Sequence, residues 1–203
     1  MKKINKTNPP RSFISMMTHN KPSNWEDFHT QCQDVFNDCV DSLKVEQDNL
    51  DGYTEKPLGK NRHIDHFIKQ KLDTNKVFDW NNLILAEYVD DKSYGANAKD
   101  ERINNVDSYK SLINPVEEDA SRYFDYMENG QIIPRRTLTK EEKEKAIFTI
   151  ETFQLQNESL LHIREQIIRQ AKECINGKLA AHDIRVCFKD SGFPSCVEYV
   201  LNI

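Results

Sequence analysis

Apolar residues along this chain fall into three regimes. From Asn24 onward, Trp25, Phe28, Cys32, Val35, Phe36, Cys39, Val40 and Leu43 recur at three-to-four spacing, which predicts one amphipathic helix running to about Glu46. Ser23 or Asn24 can cap its start, and Glu26 and Asp27 put negative charge in the first turn, where the helix dipole favours it. A second helical regime begins after Pro134. Thr139-Lys140-Glu141-Glu142 reads as a capping box, in which the Thr oxygen accepts from a backbone N–H while the Glu reaches back. Ala146, Ile147, Ile150 and Phe153 follow it. A further helix, from about Asn157 to Ile175, carries Leu160, Leu161, Ile163, Ile167, Ile168, Ala171 and Cys174 and stops at Asn176-Gly177. A short helix is expected over Ser195 to Leu201.

The middle regime is different. Gly52, Pro57 and Gly59 mark turns between residues 48 and 59. His63 to Phe67 is short, with Ile64 and Phe67 apolar, and reads as a strand. Trp80 to Val89 is short and apolar and fits a strand or the start of a helix, since periodicity alone does not choose. Ser93 to Glu101 is polar and glycine-containing, and Tyr109 to Ile133, broken by Asn114-Pro115 and Asn129-Gly130, reads as loops. Residues 1–23, with Pro9, Pro10 and Pro22 among Lys, Asn and Ser, read as an irregular arm. The division is therefore an arm and helix over 1–50, a core over 51–135 and a helical region over 136–203, an α+β chain with no internal repeat.

Composition narrows the class. At 203 residues the chain can form one sizeable core, or a small core with appended helices. A mean hydropathy of −0.75 with 30% charged residues describes a soluble protein, and no stretch approaches the ~20 apolar residues that cross a membrane. The basic start has no apolar run behind it, so a cytoplasmic location is expected. A net charge of −5 argues mildly against a protein that coats nucleic acid. It leaves room for a local basic patch and suggests that a partner assists binding. The five cysteines are odd in number and never spaced Cys-x-x-Cys, which fits reduced thiols rather than disulfides or a structural zinc.

The chemistry concentrates in Arg62-His63-Ile64-Asp65-His66-Phe67, followed by Asp79-Trp80-Asn81-Asn82-Leu83. An Asp-His pair in a strand is by itself an ordinary surface or turn feature. Here His63, Asp65 and His66 crowd three metal- or proton-competent groups together, with Lys60, Arg62, Lys69 and Lys71 around them. Hydrolysing a phosphodiester needs a cation on the phosphate and a base for water, and a carboxylate beside an imidazole can organise both. His63 and Asp65 project to one face of a strand and His66 to the other, so all three serve one ion only if the strand ends or bends near His66. The amide of Asn82 can bond backbone across the loop and hold the His strand in place. A last ligand belongs downstream on a helix, where Asn97, Lys99 and Asp100 are the candidates, although a plain polar loop reads as well. Oxygen ligands favour Mg²⁺ or Mn²⁺. Arg62 and Lys99 are candidates to meet substrate.

The ordered series resembles the HNH endonucleases encoded beside retrons and in Septu antiphage systems, the PtuB-like proteins. The residues that carry the resemblance are Met1 to Lys6, Gly52-Tyr53-Thr54-Glu55, His63 to Phe67, Asp79 to Leu83, Lys99-Asp100, Ile113-Asn114-Pro115, and Phe124 through Gly130 to Pro134. The resemblance implies a ββα-metal core flanked by an N-terminal helix and a C-terminal helical pair. It implies Asp65 as a metal ligand, His66 as general base, Asn82 as orienting residue and Asn97 or a neighbour as last ligand; His63, crowded beside them in the sequence, is a further catalytic candidate. It also implies Mg or Mn as cofactor, an ABC/SMC-like ATPase (PtuA-like) as partner, and in retrons a reverse transcriptase with its RNA-linked DNA. Many relatives have Cys-x-x-Cys where this chain has Asp51 and Thr54, and a second cysteine pair between Glu87 and Ala96, so a tetrahedral zinc is not available here. Either packing replaces that staple or the core relies on its partner. The expected activity is endonucleolytic cleavage of DNA, or of RNA such as tRNA, as the toxic effector of a defence system. The alternative is a catalytically degenerate HNH module that scaffolds the ATPase or binds nucleic acid.

Overall fold

The computed structural model describes residues 1–202 and has an α+β architecture: eight helices and two small antiparallel sheets among them. At its centre lies a ribbon of two strands, β1 (Arg62–His66) and β2 (Leu83–Glu87), paired antiparallel with Ile64 opposite Leu85, Asp65 opposite Ile84 and His66 opposite Leu83. Both faces are buried. Ile64, Leu83 and Leu85 pack with Phe13, Phe28, Cys39, Leu43 and Trp80, whereas Phe67, Ile84 and Ala86 join the larger core on the other side. This explains why Leu83-Ile84-Leu85-Ala86 shows no alternation: a strand covered on both faces reads as a continuous apolar run. A short 3₁₀ turn at Trp80–Asn82, capped by Asp79, leads into it.

The first face is covered by α1 (Arg11–His19), α2 (Trp25–Gln31) and α3 (Gln33–Glu46). The helix predicted from Asn24 to Glu46 is therefore two. Asn24 caps α2 as expected, its side chain accepting from the Asp27 N–H, but the chain leaves helical geometry at Cys32 and restarts. The break lets Phe28 and Phe36 meet with ring centroids 5.6 Å apart and carries Trp25 over β1. The arm over residues 1–23 is also more ordered than its prolines suggest. It includes α1, and before that Met1 and Ile4 are buried, with the Ile4 N–H donating to the Pro115 carbonyl at 2.8 Å.

The second face carries α4 (Gly95–Arg102), which contacts β2, and beyond it α5 (Lys140–Thr152), α6 (Glu158–Asn176), α7 (Ala181–Cys187) and α8 (Pro194–Leu201). The capping box at Thr139 and Glu142 forms, and Gly177 ends α6. The expected helical pair is thus part of a set of four. Within the stretch read as loops, β3 (Phe124–Tyr126) and β4 (Ile132–Pro134) form a hairpin around Gly130. Gly130 has φ +80°, and a Cβ there would sit 2.1 Å from the Leu161 carbonyl oxygen, so both conformation and space demand glycine.

In the turn that precedes β1, Asp51 makes a hydrogen-bonded staple. One carboxylate oxygen accepts from the N–H of Tyr53 and from both the N–H and hydroxyl of Thr54, and the other accepts from the Glu87 N–H at 2.6 Å. Beside it Lys56 pairs with Glu87 at 2.6 Å and donates to the Tyr94 hydroxyl. Packing and polar contacts thus tie the turn over residues 51–55 to β2. Asp51→Ala should destabilise the protein by on the order of 3 kcal/mol, because it strands several buried donors at once. Urea unfolding measures this. The same staple predicts a melting temperature unchanged by EDTA, and a drop of tens of degrees would show that a metal supplies what Asp51 is assigned here.

Candidate active site

β1 places its polar side chains by strict alternation. Asp65 points into the larger core and His66 towards the N-terminal helices, so the pair straddles the ribbon rather than sharing a side. Both are buried, 4% and 5% exposed. A buried carboxylate requires compensation, and Asp65 has it: its Oδ2 accepts from the Tyr53 hydroxyl at 2.5 Å and from the Lys99 ammonium at 2.6 Å. Lys99, on α4, is fully buried and also donates to the carbonyls of His66 at 2.7 Å and Phe67 at 3.2 Å. Burial lowers the Lys99 pKa, but Asp65 and Asp100 outweigh it and hold the ammonium above its ordinary value. Burial, then the nearby Asp65 charge, raises the carboxyl of Asp100, which lies 3.3 Å from the same ammonium.

His66 is held in one tautomer. Its Nε2 lies 2.9 Å from the Val77 carbonyl oxygen, which can only accept, so Nε2 carries the proton. Nδ1 is left as the lone-pair nitrogen, with the Gln70 amide 3.3 Å away. Trp25 stands edge-on to the ring, centroids 4.4 Å apart. Burial lowers the His66 pKa, only partly opposed by the Val77 bond and Asp65, so the imidazole is neutral and able to accept a proton at pH 7.

Asn82 clamps the loop that joins the two strands. Its Oδ1 accepts from the Ile68 N–H at 2.8 Å, and its Nδ2 donates to the carbonyls of Ile68 and Lys76, each at 3.0 Å. Both anchor points lie beside His66: Ile68 two residues past it, and Lys76 next to the Val77 carbonyl that sets its tautomer.

The remaining sequence candidates are placed elsewhere. Asn97 does not turn towards Asp65, because its Oδ1 accepts from the Val89 N–H at 2.9 Å and so caps the end of β2. Lys99 is not on the surface to meet substrate but inside, on Asp65. Arg62 donates to the Gly59 carbonyl at 2.9 Å. His63 shares a face with Asp65, packs against Tyr88 with centroids 5.5 Å apart, and leaves its buried Nδ1 without a partner. No three His, Cys, Asp or Glu side chains converge among the described residues. The donors that the resemblance implies for a divalent ion therefore do not fit one in this arrangement: Asp65 is taken by an ammonium, Asn97 by a backbone N–H, and His66 lies across the ribbon. Sequence reasoning missed Tyr53, Gln70 and Trp25. Tyr53 stood inside a recognisable motif without a role, and the Val77 contribution is a backbone carbonyl that leaves no trace in residue type. A groove of about 1100 Å³ lies between the β3–β4 hairpin and α8, away from Asp65 and His66.

The lowered His66 pKa fixes a sign. The folded state prefers the neutral ring, so the stability His66 contributes is present above its unfolded pKa near 6.5 and is lost as pH falls from there through the lowered folded pKa. Urea unfolding from pH 7 to pH 5 should show a smaller loss in His66→Gln than in the parent. In an NMR titration Trp25→Ala should move the His66 pKa up towards 6.5, and a parent His66 already titrating at or above 6.5 would refute the assignment. No family model matches the chain and no curated protein matches it.

Proposed function

We propose that the chain is an HNH-type endonuclease that hydrolyses phosphodiester bonds of DNA or RNA, working as the effector of a retron- or Septu-type antiphage system beside an ABC/SMC-like ATPase. The observation that carries this reading is the state of His66. A general base must be neutral at working pH, must present a lone pair and must be held in orientation. Val77 fixes the tautomer, Asn82 fixes the loop that carries Val77, and burial keeps the ring unprotonated. Burial alone makes an interior histidine neutral and bonded; the feature that supports a base is the Nδ1 lone pair, faced by the half-buried Gln70 amide at 3.3 Å. In this reading the substrate strand displaces Gln70, which is only partly buried, and Nδ1 takes the proton of a water that attacks the phosphorus; the P–O bond to one strand end breaks, the leaving oxygen takes a proton from solvent and the imidazolium returns its own to solvent. The retron reverse transcriptase and its RNA-linked DNA are the restraining partners in that proposal.

A second reading has its own observation. Hydrolysis needs positive charge at the phosphate, and the ion pair of Asp65 with Lys99 removes the carboxylate that would organise it. That favours an HNH-derived module which binds nucleic acid or scaffolds the ATPase without cutting.

Incubation of the purified chain with mixed DNA and RNA, with and without the ATPase and with Mg²⁺ or Mn²⁺ in the buffer, separates the two. Under single-turnover conditions His66→Ala should cleave roughly 10²–10⁴-fold more slowly than the parent while folding and partner binding stay near normal. Equal rates for the two proteins would end the endonuclease assignment, and absence of cleavage in every arm beside a stable ATPase complex would establish the scaffold reading. Asn82→Ala should slow cleavage as well, with the His66 ring losing its single tautomer in ¹⁵N spectra.

A further inference from the structure

The ammonium of Lys99 has the surroundings of a bound cation. Four oxygens face it: Asp65 Oδ2 at 2.6 Å, the His66 carbonyl at 2.7 Å, the Phe67 carbonyl at 3.2 Å and Asp100 Oδ1 at 3.3 Å. Two are carboxylate oxygens from β1 and α4, and two are main-chain carbonyls at the point where β1 ends. Hard oxygens of this kind, from carboxylates and carbonyls, are what a divalent cation such as Mg²⁺ or Mn²⁺ selects. Tyr53 closes the shell from below, donating to the same Asp65 oxygen and setting its ring face 5.6 Å from the ammonium. Lys69 brings a second ammonium to the outer side, on the carbonyls of Asp100 and Ile103.

We infer that Lys99 is a resident cation standing at the metal position of this core, so that Asp65 and Asp100 are neutralised by the chain itself and take up no divalent ion there. A divalent ion could take the place beside Asp65 Oδ2 only by expelling a lysine side chain that is fully buried, with its three protons already directed at oxygen. The charges agree, since both carboxylates face Lys99 and Lys69 adds a second positive charge on the Asp100 and Ile103 carbonyls. The inference concerns the same Asp65 as the proposed endonuclease and favours its non-cutting alternative, but its test reads ion binding and not cleavage, so failure of one is distinguishable from failure of the other.

The test uses the full chain and Mn²⁺ as probe. Free Mn²⁺ counted by electron paramagnetic resonance, together with melting temperature at millimolar Mn²⁺, should show no Mn²⁺ uptake by the parent that Asp65→Asn removes, and no rise in melting temperature. Lys99→Ala opens the position while leaving Asp65, Asp100 and both carbonyls in place. It should be less stable than the parent in EDTA and should regain several degrees with Mn²⁺, binding one equivalent that the double variant with Asp65→Asn does not bind. Uptake of one Mn²⁺ by the parent that Asp65→Asn abolishes would overturn the inference. A folded Lys99→Ala protein with no affinity for Mn²⁺ would overturn it too. Should Lys99→Ala not fold, the comparison of the parent with Asp65→Asn decides the matter alone.

Discussion

A two-stranded ribbon buried on both faces is the constraint around which this molecule is organised. Such a ribbon is marginal alone and must be walled on each side. Its edges must also be satisfied, since buried backbone groups without partners are costly. On β2 most of the groups turned away from β1 find partners, and mostly side chains. The Leu83 carbonyl accepts from Lys6, the Leu85 N–H donates to Gln47 Oε1, the Leu85 carbonyl accepts from Gln47 Nε2 and the Gly52 N–H, and the Glu87 N–H reaches Asp51. The Gln47 amide acts as one residue of a third strand. This explains why the N-terminal arm is ordered: Lys6 is both an edge partner and, through Glu46 and its place over the Trp80 ring, part of the wall.

The same burial dictates the chemistry. Asp65 sits in the interior and is therefore paired, and His66 sits in the interior and is therefore neutral. Lys99 and Tyr53 answer the first need, Val77 and Gln70 the second. A buried ion pair is weak evidence for stability, because desolvation offsets much of the attraction, yet removing one partner leaves an uncompensated charge at a cost of about 3–5 kcal/mol. Asp65 and Lys99 are thus tied to each other by the fold whatever the site does, and any function assigned to one must be reconciled with the other.

Much of this was legible in the sequence where local physics decides. The capping box at Thr139, the Asn24 cap, the stop at Gly177 and the strand expected over His63 to Phe67 and found over Arg62–His66 each depend on a few neighbouring residues. What escaped depends on distant contacts. The break at Cys32 falls inside an unbroken apolar periodicity and makes sense only because Trp25 must reach β1. α4 looks like a polar loop because most of its apolar surface is two alanines. Asn97 has the residue type of a ligand but is committed to the Val89 N–H. Asn82 is the instructive case in the other direction: the expectation that its amide would hold the loop needed only the geometry of a carboxamide, and the three bonds it makes are of that kind.

His66 is the one residue that touches both halves of the site. Its ring lies on the side of Trp25 and Val77, while its carbonyl accepts from Lys99 on the side of Asp65. Alternation keeps the two polar side chains apart, and the main chain of residue 66 is the link between them. The cation on Asp65 therefore acts on the imidazole without touching it, by fixing the peptide from which the ring projects. Asn82 holds the neighbouring peptide plane at Ile68 from the opposite side. Between them, Lys99 and Asn82 pin the backbone from His66 to Ile68, where the strand leaves the Asp-His pair, so its exit is set by two side chains from separate elements. It is this double anchoring, more than the identity of the Asp-His dipeptide, that distinguishes the site from an ordinary strand end.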